Sequence, residues 1–207
     1  LKNKSVIIAG SNRSGKTTFL RTVGINNILA QTVNTCFANE FKIPLLKTIT
    51  SLHNFDSIVH GESFYFAEAK NLLKVLDSNI QTGYLIIIDE LFKGTNSIER
   101  TAISKGTLAY LHKNCGIVFA STHDLELIKL LYFDYEPYHF NESINEDEIL
   151  FDYKIKKGNL YVFNAINTLI KMGFPNLLMQ EVKKTFSKLE QMYKRSNDYE
   201  ILHHSLK

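Results

Sequence analysis

The run Gly10-Ser11-Asn12-Arg13-Ser14-Gly15-Lys16-Thr17 brings two glycines, a lysine and a hydroxyl together at fixed spacing. Glycines at both ends let a loop wrap until successive backbone N–H groups face one centre. A concave row of N–H donors binds an anion, and a lysine beside a hydroxyl suits a phosphate chain with its magnesium. The run fits G-x-x-x-x-G-K-[ST], the P-loop pattern. A chance match is expected in roughly one chain in a hundred of this length, and the apolar strand before the run and the helix after it make chance rarer. On this reading Gly10, Ser11, Asn12, Arg13, Ser14, Gly15, Lys16, Thr17 and Thr18 hold the phosphates of ATP. Lys16 reaches the β- and γ-phosphates, and the Thr17 hydroxyl ligates Mg²⁺.

A second chemical group ends the apolar run Tyr84-Leu85-Ile86-Ile87-Ile88-Asp89-Glu90. Asp89 is expected to hold Mg²⁺, directly or through water. Glu90, one residue on, is placed to orient and deprotonate an attacking water. Taken alone, such an acid pair more often solubilises a loop, and the P-loop beside it reverses that preference. A third group is Ala120-Ser121-Thr122-His123-Asp124. A lone histidine is usually structural. At the carboxyl end of a third strand, however, His123 faces the same crevice and is expected to hydrogen-bond the γ-phosphate.

These groups need strands and helices to position them. Val6 to Ala9, Tyr84 to Ile88 and Ile117 to Ala120 read as buried strands. Lys16 to about Gln31 reads as a helix with Phe19, Leu20, Val23 and Ile28 on its apolar side. Ser63 to Asp77 and Thr101 to His112 read as further helices. Alternating strands and helices predict an α/β fold with a mostly parallel sheet flanked by helices.

The 207 residues are 44 % hydrophobic and 22 % charged, which excludes a wholly disordered chain. A net charge of +3 neither demands nor excludes a nucleic-acid partner. Two cysteines, Cys36 and Cys115, make no disulfide framework and point to a reducing, cytoplasmic setting. No apolar run approaches the roughly 20 residues of a membrane span. The chain opens on Leu1 with its first strand following almost at once, so a fragment of a longer protein is expected.

Beyond Leu131 the character changes. Asp134 to Tyr153 holds seven acids and no Lys or Arg, with two strands, Tyr138 to Asn141 and Ile149 to Ile155, expected to form a solvated hairpin. The segment after Lys154 is basic. Phe163 to Met172 and Leu177 to Tyr193 read as two helices broken at Gly173-Phe174-Pro175.

Together the motifs resemble the ATPase domain of the MutS family of DNA mismatch repair proteins. The resemblance rests on Asn12 in the P-loop, Asp89-Glu90-Leu91-Phe92-Lys93-Gly94-Thr95-Asn96-Ser97, and Ser121-Thr122-His123-Asp124-Leu125-Glu126-Leu127. The family's corresponding segments are G-P-N-M-G-G-K-S, D-E-x-x-x-G-T-S/N-S/T and T-H-x-x-E-L. His60 to Glu68 is similar to its serine-led signature before a helix. Tyr153 to Gly158, Asn164-Ala165 and Met172 to Pro175 resemble its closing hairpin and helix-turn-helix. The similarity runs from about Ser5 to Leu189. Departures are Ser11 for proline, Arg13 for Met, Ser14 for glycine, Thr17 for serine, and Leu91-Phe92-Lys93 for the commoner Ile-Gly-Arg.

The resemblance implies an ABC-type P-loop ATPase core over residues 1–157, including the acidic hairpin, and a helical dimerisation segment over 158–207. It implies Mg-dependent ATP hydrolysis with Glu90 and His123 catalytic, and a homodimer in which Ser63, Asn96 and Ser97 act on the partner's nucleotide. DNA binding falls to the parent protein. A transporter ATPase is disfavoured, because no L-S-G-G-Q segment occurs. A MutS-related module with a non-repair role, or an assembly module with little turnover, remains the alternative.

Overall fold

The computed structural model describes residues 5–51, 64–77, 83–92, 94–144, 149–158 and 165–204. Six strands form one sheet. In chain order they are β1 (Ser5–Ala9), β2 (Lys47–Ser51), β3 (Tyr84–Asp89), β4 (Gly116–Thr122), β5 (Tyr135–Ile144) and β6 (Ile149–Lys157). Among the described residues six helices accompany them: α1 (Lys16–Thr32), α2 (Phe64–Asp77), α3 (Ser97–Cys115), α4 (Leu125–Leu130), α5 (Ala165–Lys171) and α6 (Asn176–His204). The strand order is β2-β3-β4-β1-β5-β6. All pairs from β2 through β5 are parallel. Four residues join β5 to β6, a connection only an antiparallel pair can use.

Period-two alternation divides the core into two layers. Ile7, Ala9, Ile86, Ile88, Val118 and Ala120 share one cluster with Leu108 and Leu111 of α3 and Leu127 and Ile128 of α4. Val6, Ile8, Leu85 and Ile87 share the other with Leu20 of α1 and Phe140 of β5. Strands buried on both faces read as unbroken apolar runs, which is why β1 and β3 are legible.

The structure departs from expectation in several places. The hairpin expected to be solvated is built into the central sheet: β5 pairs with β1 along Ser5↔Tyr135 to Ala9↔His139 and buries Tyr135 and Phe140. Ile28 lies half exposed on the outer side of α1, whose buried positions include Leu20, Gly24 and Asn27. Gly24 lets α1 approach β3, since a Cβ there would come within 2.9 Å of Ile87 Cδ1. Asn27 is buried because its amide donates to Leu46 O and Thr48 Oγ1, pinning β2 to the helix. β2 and α4 are additional to the sequence reading. α3 starts earlier than the apolar pattern, at Ser97, under an Asn96 cap.

The chain divides into two compact units, Leu1–Asn141 with Phe151–Leu160, and Glu142–Leu150 with Tyr161–Lys207. In the second, α5 and α6 pack on each other across the Gly173 turn, at φ 78°. No described helix is long and apolar enough to cross a membrane.

Candidate active site

Parallel pairing puts the carboxyl ends of β1, β3 and β4 at one sheet edge, with Ala9 beside Thr122 and Asp89 beside Ser121. The loop 10–15 leaves β1 at that edge and feeds α1. Gly15 caps the helix in left-handed backbone, φ 110° and ψ 1°, a conformation that glycine takes without strain. A Cβ at Gly10 would lie 2.6 Å from Ser14 Oγ, so a side chain there would displace that hydroxyl. That Oγ is buried and has no hydrogen-bond partner among the described residues.

Lys16 is buried at 5 % exposure. Its Nζ donates to Gly10 O and Ser11 O, both at 2.8 Å, and lies 3.6 Å from Glu90 Oε1. Thr17 Oγ1 donates to Asp89 Oδ2 at 2.6 Å. Ser121, at the end of β4, donates to the other oxygen, Oδ1. Asp89, at the end of β3, is therefore held from the first turn of α1 on one oxygen and from β4 on the other. Glu90 is buried, and its Oε2 lies 3.3 Å from Nδ1 of the half-exposed His123. Lysine, carboxylate and imidazole thus form one cluster beside the loop.

Asp124 follows His123 and fixes its backbone. It caps α4 by accepting from Glu126 N and Leu127 N, and it also accepts from Thr101 Oγ1. Asn96 caps α3 by accepting from Glu99 N at 2.9 Å, and Ser97 follows as the first, exposed helical residue. Ser63 lies outside the described residues, one position before α2. The structure therefore brings the loop, Lys16, Thr17, Asp89, Glu90 and His123 to one place. Asn96 and Ser97 stand at the start of α3.

Sequence reasoning missed Tyr153. A Cβ on Gly15 would meet Tyr153 Cδ1 at 3.4 Å and Phe140 Cε1 at 3.5 Å, so both rings flank the loop's end. Tyr153 has φ 51° and is 65 % exposed, with Phe151 5.9 Å away between ring centroids. The only signal in the sequence is an aromatic pair, Phe151 and Tyr153, at alternate positions of the hairpin's second strand.

A glycine-bounded loop between a buried strand and a helix, with an acid ending the neighbouring strand, is consistent with a P-loop-type nucleotide-binding fold. Comparison with known proteins narrows the class. The family model described as MutS domain V matches residues 6–190, and the chain belongs to this family. It is 28 % identical over 201 residues to the DNA mismatch repair protein MutS of Prochlorococcus marinus (strain MIT 9312), covering 94 % of this chain and 22 % of that protein. It is 29 % identical over 213 residues to the DNA mismatch repair protein MutS of Aquifex pyrophilus, covering 95 % and 25 %. It is 35 % identical over 162 residues to the MutS protein homolog 4 of Homo sapiens, covering 74 % and 17 %. The chain spans a quarter or less of the length of these relatives.

Proposed function

We propose that this chain binds Mg·ATP at the 10–18 loop and hydrolyses it, as an ABC-type ATPase domain. The observation that carries the reading is Asp89, held between the Thr17 and Ser121 hydroxyls with Lys16 and Glu90 beside it. The backbone and side chains of Gly10, Ser11, Asn12, Arg13, Ser14, Gly15, Lys16, Thr17 and Thr18 receive the phosphates. Thr17 and Asp89 supply hard oxygen donors, the set magnesium prefers, and these two residues would hold it. When bound, the ion neutralises charge on the β- and γ-phosphates.

Lys16 leaves the carbonyls of Gly10 and Ser11 to meet the phosphates. Glu90 accepts the proton of the attacking water. His123 steadies the Glu90 carboxylate through Oε2 and reaches toward the γ-phosphate. The exposed Tyr153 ring offers a face on which a base can stack, next to the loop that holds its phosphates.

The site is completed in a homodimer, with Ser63, Asn96 and Ser97 facing the partner's nucleotide. Residues 1–157 act as the ATPase core and 158–207 as a dimerisation segment. The similarity to proteins named for DNA mismatch repair supports an ATP-driven switch, cytoplasmic, coupled to mismatched or damaged DNA bound by a larger protein. A non-repair role is the second reading, favoured by 35 % identity over 162 residues to a relative named only as a MutS protein homolog.

Glu90→Gln tests the chemistry. It keeps the shape but loses the base, so nucleotide stays bound while turnover falls by about 100-fold or more. Turnover at the wild-type rate removes Glu90 from the base role.

A further inference from the structure

Glu90 and Phe92 both adopt left-handed backbone, at φ 53° and 56°. Non-glycine residues rarely do so, and two within three positions persist only where their surroundings over-determine them. Asp89, immediately before, is tied to Thr17 and Ser121. Leu91 packs against the cluster of Ile88, Ala120 and Leu127. Phe92 is 3 % exposed, and its ring meets that of Tyr65 at 5.7 Å between centroids, tilted by 44°. Tyr65 is the second residue of α2 and belongs to its first turn. Two residues of backbone and one ring contact therefore join the buried Glu90 carboxylate to the start of α2.

We infer that Phe92 is a positioning residue whose contact with Tyr65 couples the Glu90 carboxylate to the first turn of α2. This rests on the ATPase reading above and adds a regulator to it. The ring wedged against α2 opposes return of the loop to right-handed backbone, which would turn Glu90 away from Lys16 and His123. In the other direction, displacement of the α2 start passes through the two rings in contact to Glu90. Glycine at position 92 would take the same φ without strain but would hold nothing.

The test uses the full chain carrying Phe92→Gly and Tyr65→Ala, singly and together. Amide hydrogen exchange is read without nucleotide, and ATP affinity, KM and kcat are read separately. In both single variants the first turn of α2 and the 90–92 segment should exchange faster together. ATP affinity and KM should stay at wild-type values while kcat falls about tenfold. The double variant should fall no further than the slower single one. Faster exchange confined to the mutated segment, an unchanged kcat in Tyr65→Ala, or losses that multiply in the double variant would overturn the link. A wild-type chain that binds no ATP would sink the ATPase reading instead, and the exchange data alone would then decide the coupling.

Discussion

Thr17 Oγ1 donates to Asp89 Oδ2 at 2.6 Å, although the two residues stand 72 apart in the chain. The contact ties the first turn of α1 to the end of β3, and Ser121 closes it from β4. On the ATPase reading proposed above, the Thr17 hydroxyl and the Asp89 carboxylate are the oxygen donors for magnesium, and Ser121 orients that carboxylate.

Asp89→Asn leaves one of those hydroxyls facing an amide N–H. It should cost about 1–3 kcal/mol of stability, measured by denaturant unfolding. The magnesium concentration for half-maximal turnover should rise at least about tenfold. An unchanged magnesium dependence would take Asp89 out of the metal role.

Asn96 separates capping from catalysis. Asn96→Ala should lose about 1 kcal/mol of stability with its cap, whereas Asn96→Ser keeps an acceptor for Glu99 N. If the side-chain amide serves a partner's nucleotide, both variants lose turnover and only the alanine loses stability. Full turnover in Asn96→Ser would remove Asn96 from the dimer seam.

The terminal helices carry exposed Leu177, Leu178, Phe186, Leu189 and Met192. Apolar surface of that extent calls for a cover. Truncation after Lys157 should leave a monomer by light scattering. A truncated dimer that loses only salt-sensitive DNA binding would turn the segment into a nucleic-acid contact.

At the hairpin base Lys157 pairs with Glu136. The hydrogen bond from Lys157 holds the Glu136 carboxyl below its usual range, and the same bond raises Lys157. The lowered carboxyl contributes stability above its unfolded pKa and loses it as pH falls through the folded one. The raised amine contributes below its unfolded pKa and loses it as pH rises through the folded one. Lys157→Met should therefore lower the thermal midpoint slightly at neutral pH, with the difference vanishing in strong acid. A difference that persists in strong acid would assign the effect to packing.

The loop 10–17 was legible because its chemistry is local and its spacing rigid. β1, β3 and β4 were legible because burial on both faces forces apolar runs. β2 was not: Lys47-Thr48-Ile49-Thr50-Ser51 sits at the sheet edge and carries one apolar residue. α4 is six residues long, too short for a period to show. Tyr153 meets Gly15 only because β6 closes the sheet beside β5, a long-range fact with no local signature. Phe92 stands where the commoner segment has glycine. The substitution was visible, but the left-handed backbone it adopts and the ring that holds it were not.

Titration of a fluorescent ATP analogue with magnesium into wild type and Lys16→Ala tests the central claim most directly. Lys16 is the buried cation of the loop, and its loss leaves the β- and γ-phosphates without that partner. Saturable binding by wild type and at least about 100-fold weaker binding by Lys16→Ala is the predicted result. Equal affinity in the two proteins, both folded by circular dichroism, would contradict it.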